Sequence, residues 1–177
     1  MKISMLLLFC TLASMTVHPI FDFQTDTSLK DWYVVNDGVM GGLSKGSLRL
    51  DAEGHGLFSG KISLENNGGF SSIRYDCGPK DLSGYRFITL KVKGDGQRYQ
   101  LRVKANRNEY YSYISYFETT GEWQLLKLPL DSMYPVFRGR RLDMPDFGGN
   151  ILEEIGILIG NKEARSFELR IDAIGLE

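Results

Sequence analysis

A strict two-residue alternation constrains this chain more than any other feature. Tyr99, Leu101, Val103 and Ala105 alternate with Gln100, Arg102 and Lys104, and Phe167, Leu169, Ile171 and Ala173 alternate with Glu168, Arg170 and Asp172. Successive side chains of an extended strand point to opposite faces, so each run predicts a strand with one buried and one wet face, as in antiparallel sheets. Shorter runs predict strands over residues 21–23, 32–36, 47–51, 57–64, 69–75, 87–93, 110–117, 123–128 and 155–159. Roughly ten strands are more than one open twisted sheet holds comfortably. The expected fold is all-β, an antiparallel β-sandwich of jelly-roll type. Twenty glycines and 12% aromatic residues agree, favouring short strands and tight turns over a helix bundle. Gly94-Asp95-Gly96-Gln97 reads as a hairpin turn, and residues 131–150, broken by Pro135, Pro145 and several glycines, read as one long loop.

The first 17 residues stand apart. Met1 and Lys2 precede an apolar run from Ile3 to Val17, with small or polar Ala13, Ser14 and Thr16 near its end. This is the pattern of a secretory signal peptide, and the run is short for a spanning helix. The expectation is an exported chain, periplasmic or in the cell envelope, with a membrane tether by an uncleaved segment as the alternative. A single domain over residues 18–177 follows. Removal of the leader takes Cys10 away and leaves Cys77 without a disulfide partner. Cys77 therefore reads as a buried structural thiol, since His55, between Gly54 and Gly56, is the one histidine available to activate it.

The formal charge of -1, from 21 basic and 22 acidic residues, provides no field to draw nucleic acid. No residues are predicted to be catalytic or metal-ligating, and no cofactor is implied. The glycine-rich string Asn36-Asp37-Gly38-Val39-Met40-Gly41-Gly42-Leu43-Ser44 lacks the lysine-serine ending and the spacing of phosphate-binding loops. Two readings stand side by side: a presented binding loop, or a tight connection in which Asn36 and Asp37 bond back to the main chain. Asp37→Ala separates them, because a presented carboxylate is dispensable for melting temperature and a structural one is not. Arg138, Arg140 and Arg141 could clamp an anion. Tyr110 and Tyr116 fall on the opposite strand face from Tyr111, Tyr113 and Phe117, so one set can fill the core while the other stacks on sugars or on a protein.

The order of Trp32, the string from Asn36 to Ser44, Phe58-Ser59-Gly60, Asn67-Gly68-Gly69-Phe70, Gly94-Asp95-Gly96, Tyr99 and Phe137-Arg138-Gly139 resembles the complex I intermediate-associated protein family across residues 21–174. The resemblance implies a galactose-binding-like jelly roll, similar to some carbohydrate-binding modules, in a family best known for a chaperone of respiratory complex I assembly and without enzymatic activity. It implies a non-enzymatic binding domain, an assembly factor or chaperone for a respiratory or envelope complex whose partner is a protein. The expected binding residues are Asn36, Asp37, Met40, Gly41, Gly42, Ser44, Asn67, Phe70, Tyr99, Arg138, Gly139 and Arg140. The alternative is a carbohydrate-binding module that uses exposed tyrosines. No cofactor is expected, and a structural calcium held by loop carbonyls and carboxylates, as in similar sandwiches, is compatible with the resemblance.

Overall fold

The computed structural model describes residues 17–177, so the expected leader lies outside the described residues except for Val17. The strands are β1 (His18–Asp22), β2 (Trp32–Asn36), β3 (Lys45–Leu50), β4 (Gly56–Lys61), β5 (Ser71–Asp81), β6 (Phe87–Lys93), β7 (Arg98–Lys104), β8 (Ser112–Glu118), β9 (Trp123–Pro129), β10 (Tyr134–Phe137), β11 (Arg140–Arg141), β12 (Ile151–Ile159) and β13 (Ser166–Leu176). One sheet runs β3-β4-β13-β6-β9, with β1 also paired to β13. The other runs β11-β10-β8-β7-β12-β5-β2. The chain passes repeatedly from one sheet to the other, and the result is a jelly-roll sandwich.

The alternating faces meet between the sheets. Tyr99, Leu101 and Val103 of β7, Ile155 and Ile157 of β12, Leu90 and Val92 of β6, and Leu169 and Ile171 of β13 are all buried. Each aliphatic side chain so enclosed contributes about 1.5–3 kcal/mol. One end of the core is closed by aromatic rings: Trp32 stacks on Tyr75 at 5.0 Å, and Phe21 meets Trp32 edge-on at 5.3 Å.

Two sequence-based expectations are corrected. Residues 94–97 do not form a hairpin, because β6 belongs to the six-stranded sheet and β7 to the seven-stranded one. They form a crossover organised by Asp95, which accepts hydrogen bonds from the Tyr99 hydroxyl (3.1 Å) and from the backbone N–H groups of Gln97 (3.2 Å) and Glu168 (2.8 Å). Residues 131–150 are not one loop. They contain the β10–β11 hairpin, in which Phe137 pairs with Arg140 across a two-residue turn. Arg138 (φ 47) and Gly139 (φ 75) both adopt the left-handed backbone that such turns require.

Candidate functional site

Apart from Tyr99 on the central strand β7, the residues expected to bind divide between the two edges of the seven-stranded sheet. Residues 36–44 follow β2 at one edge, and the Arg138-Gly139 turn joins β10 to β11 at the other. They do not form one presented surface.

At the β2 edge the polar groups turn inward. Asp37 is fully buried, and its carboxylate accepts hydrogen bonds from the backbone N–H groups of Ser44 (2.9 Å), Gly69 (2.6 Å) and Phe70 (3.3 Å). Burial alone would raise its pKa. Hydrogen bonds from Ser44, Gly69 and Phe70 outweigh burial and hold the carboxyl below its ordinary value. Asn36 Oδ1 accepts from the Ser71 hydroxyl (2.7 Å) and the Gly46 N–H (3.0 Å). The Ser44 hydroxyl donates to the Ser63 carbonyl and accepts from the Ser63 N–H.

The glycines of this segment follow from that geometry. A Cβ on Gly42 would stand 2.4 Å from Asp37 Cγ, and one on Gly68 would stand 2.5 Å from Asp37 Oδ2. Gly41 (φ 87) ends the single-turn helix that begins at Asp37, and its carbonyl accepts from Asn66 Nδ2. Asn67 adopts a positive φ in the facing connection. Met40 closes the helical turn, but its side chain lies outside the described residues. The glycine-rich string thus ties the β2–β3 connection to the β4–β5 connection. Leu43 and Leu64 stand exposed beside it.

The seven-stranded sheet also has an outer face, where Tyr33, Arg74, Glu154, Gln100, Arg102, Ile114, Tyr116 and Tyr134 occupy the positions that alternate with the core. Paired positions place Tyr33 opposite Arg74, Arg74 opposite Gly156, Gly156 opposite Arg102, Arg102 opposite Ile114 and Ile114 opposite Tyr134, one row across the sheet. Over β7, β8, β10 and β11 this face sinks into a depression of about 380 Å³. Ile114 and Val136 line it with apolar surface, Tyr116 and Tyr134 supply rings, and Gln100, Gly139 and Arg141 complete it. Arg98 lies over the Tyr116 ring at 4.4 Å and Arg141 over the Tyr134 ring at 4.7 Å, cation–π contacts that hold both rings in place. Gln100 Nε2 donates to the Tyr116 hydroxyl at 3.0 Å.

The floor beside the depression is charged. Glu154 accepts a hydrogen bond from the Tyr33 hydroxyl and lies 3.7 Å from Arg74 Nη1 and 3.9 Å from Lys104 Nζ. Burial, reinforced by the bond to Glu154, pushes the Tyr33 hydroxyl up to about 12. Lys104 is lowered by burial and further by Arg74, against the pull of Glu154, and its ammonium donates to the carbonyls of Arg107 (3.2 Å) and Glu109 (2.7 Å).

Of the expected residues, Gly139 borders this depression. Its neighbour Arg138 lies 5.3 Å from the Phe137 ring, and Arg140 is exposed. Tyr99 is fully buried on the opposite side of β7. Tyr33, Gln100, Arg102 and Tyr134 escaped the sequence reading as site residues. The available signal was the polar half of the β7 alternation, and only sheet order shows that Gln100 lines a depression with Arg102 beside it.

Among the described residues no group of three or more His, Cys, Asp or Glu side chains converges to hold a metal. Cys77 Sγ donates to the Glu153 carbonyl at 3.2 Å, and burial raises the thiol to about 11, which makes it a poor nucleophile. His55 lies in the β3–β4 connection beside the other sheet, with Nδ1 3.0 Å from Asp172. What the outer face offers is recognition: flat rings, an apolar floor and a few placed polar groups.

Solved structures share this fold. A family 11 carbohydrate-binding module from Clostridium thermocellum, solved in complex with a β-1,3-1,4-mixed-linked tetrasaccharide, is 15% identical over 92% of this chain and 96% of that chain, with a TM-score of 0.62. A family 11 carbohydrate-binding module of a cellulosomal cellulase of Clostridium thermocellum reaches a TM-score of 0.65 at 14% identity, covering 93% and 95% of the two chains. An exo-β-agarase matches over 90% of this chain but 24% of its own length, with 12% identity and a TM-score of 0.55. No curated protein matches the chain in sequence. The family model for complex I intermediate-associated protein 30 (CIA30) matches residues 21–171, and the chain belongs to that family.

Proposed function

We propose that this chain is a non-catalytic binding domain whose ligand is a saccharide held on the outer face of the seven-stranded sheet. The depression over Gln100, Tyr116 and Tyr134 carries this reading. A sugar ring has an apolar C–H face and a rim of hydroxyls, and this site pairs fixed aromatic rings with an amide that both donates and accepts. The solved carbohydrate-binding modules supply a precedent for the fold in such a role. Export, the expectation raised by residues 1–17, would bring the domain to extracellular or envelope glycans. N-terminal sequencing of the protein purified from its own cells tests the location, and an intact Met1 in a cytosolic fraction would refute it. The saccharide reading is tested by affinity gel electrophoresis against a panel of neutral and acidic polysaccharides. Retardation by at least one is expected, and uniform mobility across the panel would reject the reading.

A second reading is an assembly factor for a respiratory or envelope complex. It is favoured by the family and by exposed Leu43 (50%) and Leu64 (44%) beside the residue 36–44 connection. Such an apolar pair suits a protein partner. Cross-linking in cells followed by affinity purification should then recover subunits of one membrane complex, and Leu43→Asp should abolish that recovery.

A further inference from the structure

Charge is distributed unevenly over the outer face. Strand β7 sets Arg98, Gln100, Arg102 and Lys104 along it, and Arg74 joins the Arg102 row from β5. Gly156 lies between these two arginines, with Arg74 Cγ 3.3 Å from where a Gly156 Cβ would be. Among the described residues the carboxylate that faces Arg74 and Lys104 is Glu154. Its 3.7 and 3.9 Å separations from Arg74 and Lys104 exceed hydrogen-bond length, so one negative charge is shared between two cations.

Arg102 is left over. Its Nη1 donates to Gln100 Oε1 at 2.9 Å, a neutral acceptor, and among the described residues no carboxylate lies within ion-pair distance of it. Burial, with Arg74 alongside, pushes its guanidinium down to about 10 despite Glu154, the sign of a charge lacking a full counter-ion. The acids at the rim are engaged elsewhere: Asp146 pairs with Arg141 at 2.8 Å, and Asp76 pairs with Arg107. Glu118 stands opposite Arg98 in the strand register, but it is exposed and beyond ion-pair distance.

Resting on the saccharide reading, we propose that the ligand is an anionic saccharide, whose carboxylate or sulfate is received by Arg141 of the depression's lining and by Arg102, which adjoins the depression through its bond to Gln100. A partly desolvated cation is costly until it is paired, and a guanidinium recognises planar or trigonal oxyanions through paired charge-assisted hydrogen bonds. A neutral glycan covering the same face would bury Arg102 further and leave it unpaired. Arg141, exposed and held over Tyr134, can exchange Asp146 for a ligand anion at little cost, because surface ion pairs are weak.

The test is isothermal titration with polygalacturonate, its carboxyl-reduced counterpart, a sulfated galactan and a neutral mixed-linked β-glucan. At least one acidic polymer should bind about tenfold or more tighter than the neutral polymers, with affinity falling as salt rises. Comparison of polygalacturonate with the sulfated galactan identifies which anion is read. Arg141→Gln, at an exposed position, should remove the preference for acid without changing thermal melting, and Arg102→Gln should do the same or more. Equal binding of acidic and neutral polymers would overturn the anionic inference and leave the saccharide reading standing. Acidic preference that survives both substitutions would also overturn it. Binding to none of the polymers would reject the saccharide reading itself, and the inference with it.

Discussion

The carboxylate of Asp37 accepts a hydrogen bond from the backbone N–H of Gly69, 32 positions further along the chain, at 2.6 Å. With the amides of Ser44 and Phe70 on the same carboxylate, one buried side chain fastens two connections at the β2 edge of the sandwich. Asp37→Ala would leave three main-chain donors without their acceptor. Buried donors without partners are expensive, and the expected loss is about 3 kcal/mol. Urea denaturation measures it, and an unchanged midpoint would show that water replaces the carboxylate.

The same node makes stability depend on acid. The folded carboxyl titrates below its ordinary value of 3.8, so its contribution is complete above that value and disappears as pH falls through the lower folded one. The amide of Asp37→Asn cannot titrate. The stability gap between wild type and this variant should therefore be widest at neutral pH and narrow below about pH 4. Thermal melts of both proteins across that range check the sign, and a gap that widens in acid would contradict it.

Trp32 sits among Phe21, Phe23 and Tyr75, with ring centroids 5.0–5.4 Å away. Trp32→Ala would empty this end of the core at a cost of about 3–5 kcal/mol. Trp32→Phe should recover most of the loss in the same denaturation experiment, because among the described residues the indole N–H has no hydrogen-bond partner to lose.

How far the fold could be read from sequence depended on where each strand's information lay. Strand β7 was legible because Tyr99, Leu101 and Val103 carry the core face without interruption. The β10–β11 hairpin was not, because Pro135 interrupts its pattern and its turn places an arginine rather than asparagine or glycine at a positive φ. The crossover at residues 94–97 has the composition of a hairpin, and nothing local records that β6 and β7 pair with different strands. The glycine-rich string announced an unusual backbone, and its partners at Gly69 and Phe70 became visible only in three dimensions. The outer face shows the same limit. Gln100 and Arg102 read as wet residues, but their neighbours Tyr116 and Ile114 come from β8, and Tyr134 from β10.

Cys77 should resist alkylation in the folded protein. Burial lifts its thiol to about 11, and the thiolate is the reactive form. With iodoacetamide near pH 8, mass spectrometry of the Cys77 peptide should show modification in urea at least about tenfold faster than in buffer. Equal rates in both would mean that this part of β5 opens readily.

Tyr116 offers the most direct probe of the proposed site. It is 40% exposed, its hydroxyl accepts from Gln100, and Arg98 lies over its ring. Tyr116→Ala removes a wall of the depression without hollowing the core, so thermal stability should change by no more than about 1 kcal/mol. Affinity for any polysaccharide that the wild type binds should fall by about tenfold, the worth of one aromatic contact. Tyr116→Phe retains the ring and loses only the hydroxyl, so it should keep most of the affinity if stacking dominates. Calorimetry on the three proteins separates the cases: loss only in the alanine variant identifies a platform for the sugar's C–H face, whereas equal loss in both identifies the hydroxyl and its Gln100 bond as the contact. No loss in either would move the binding site off this face altogether.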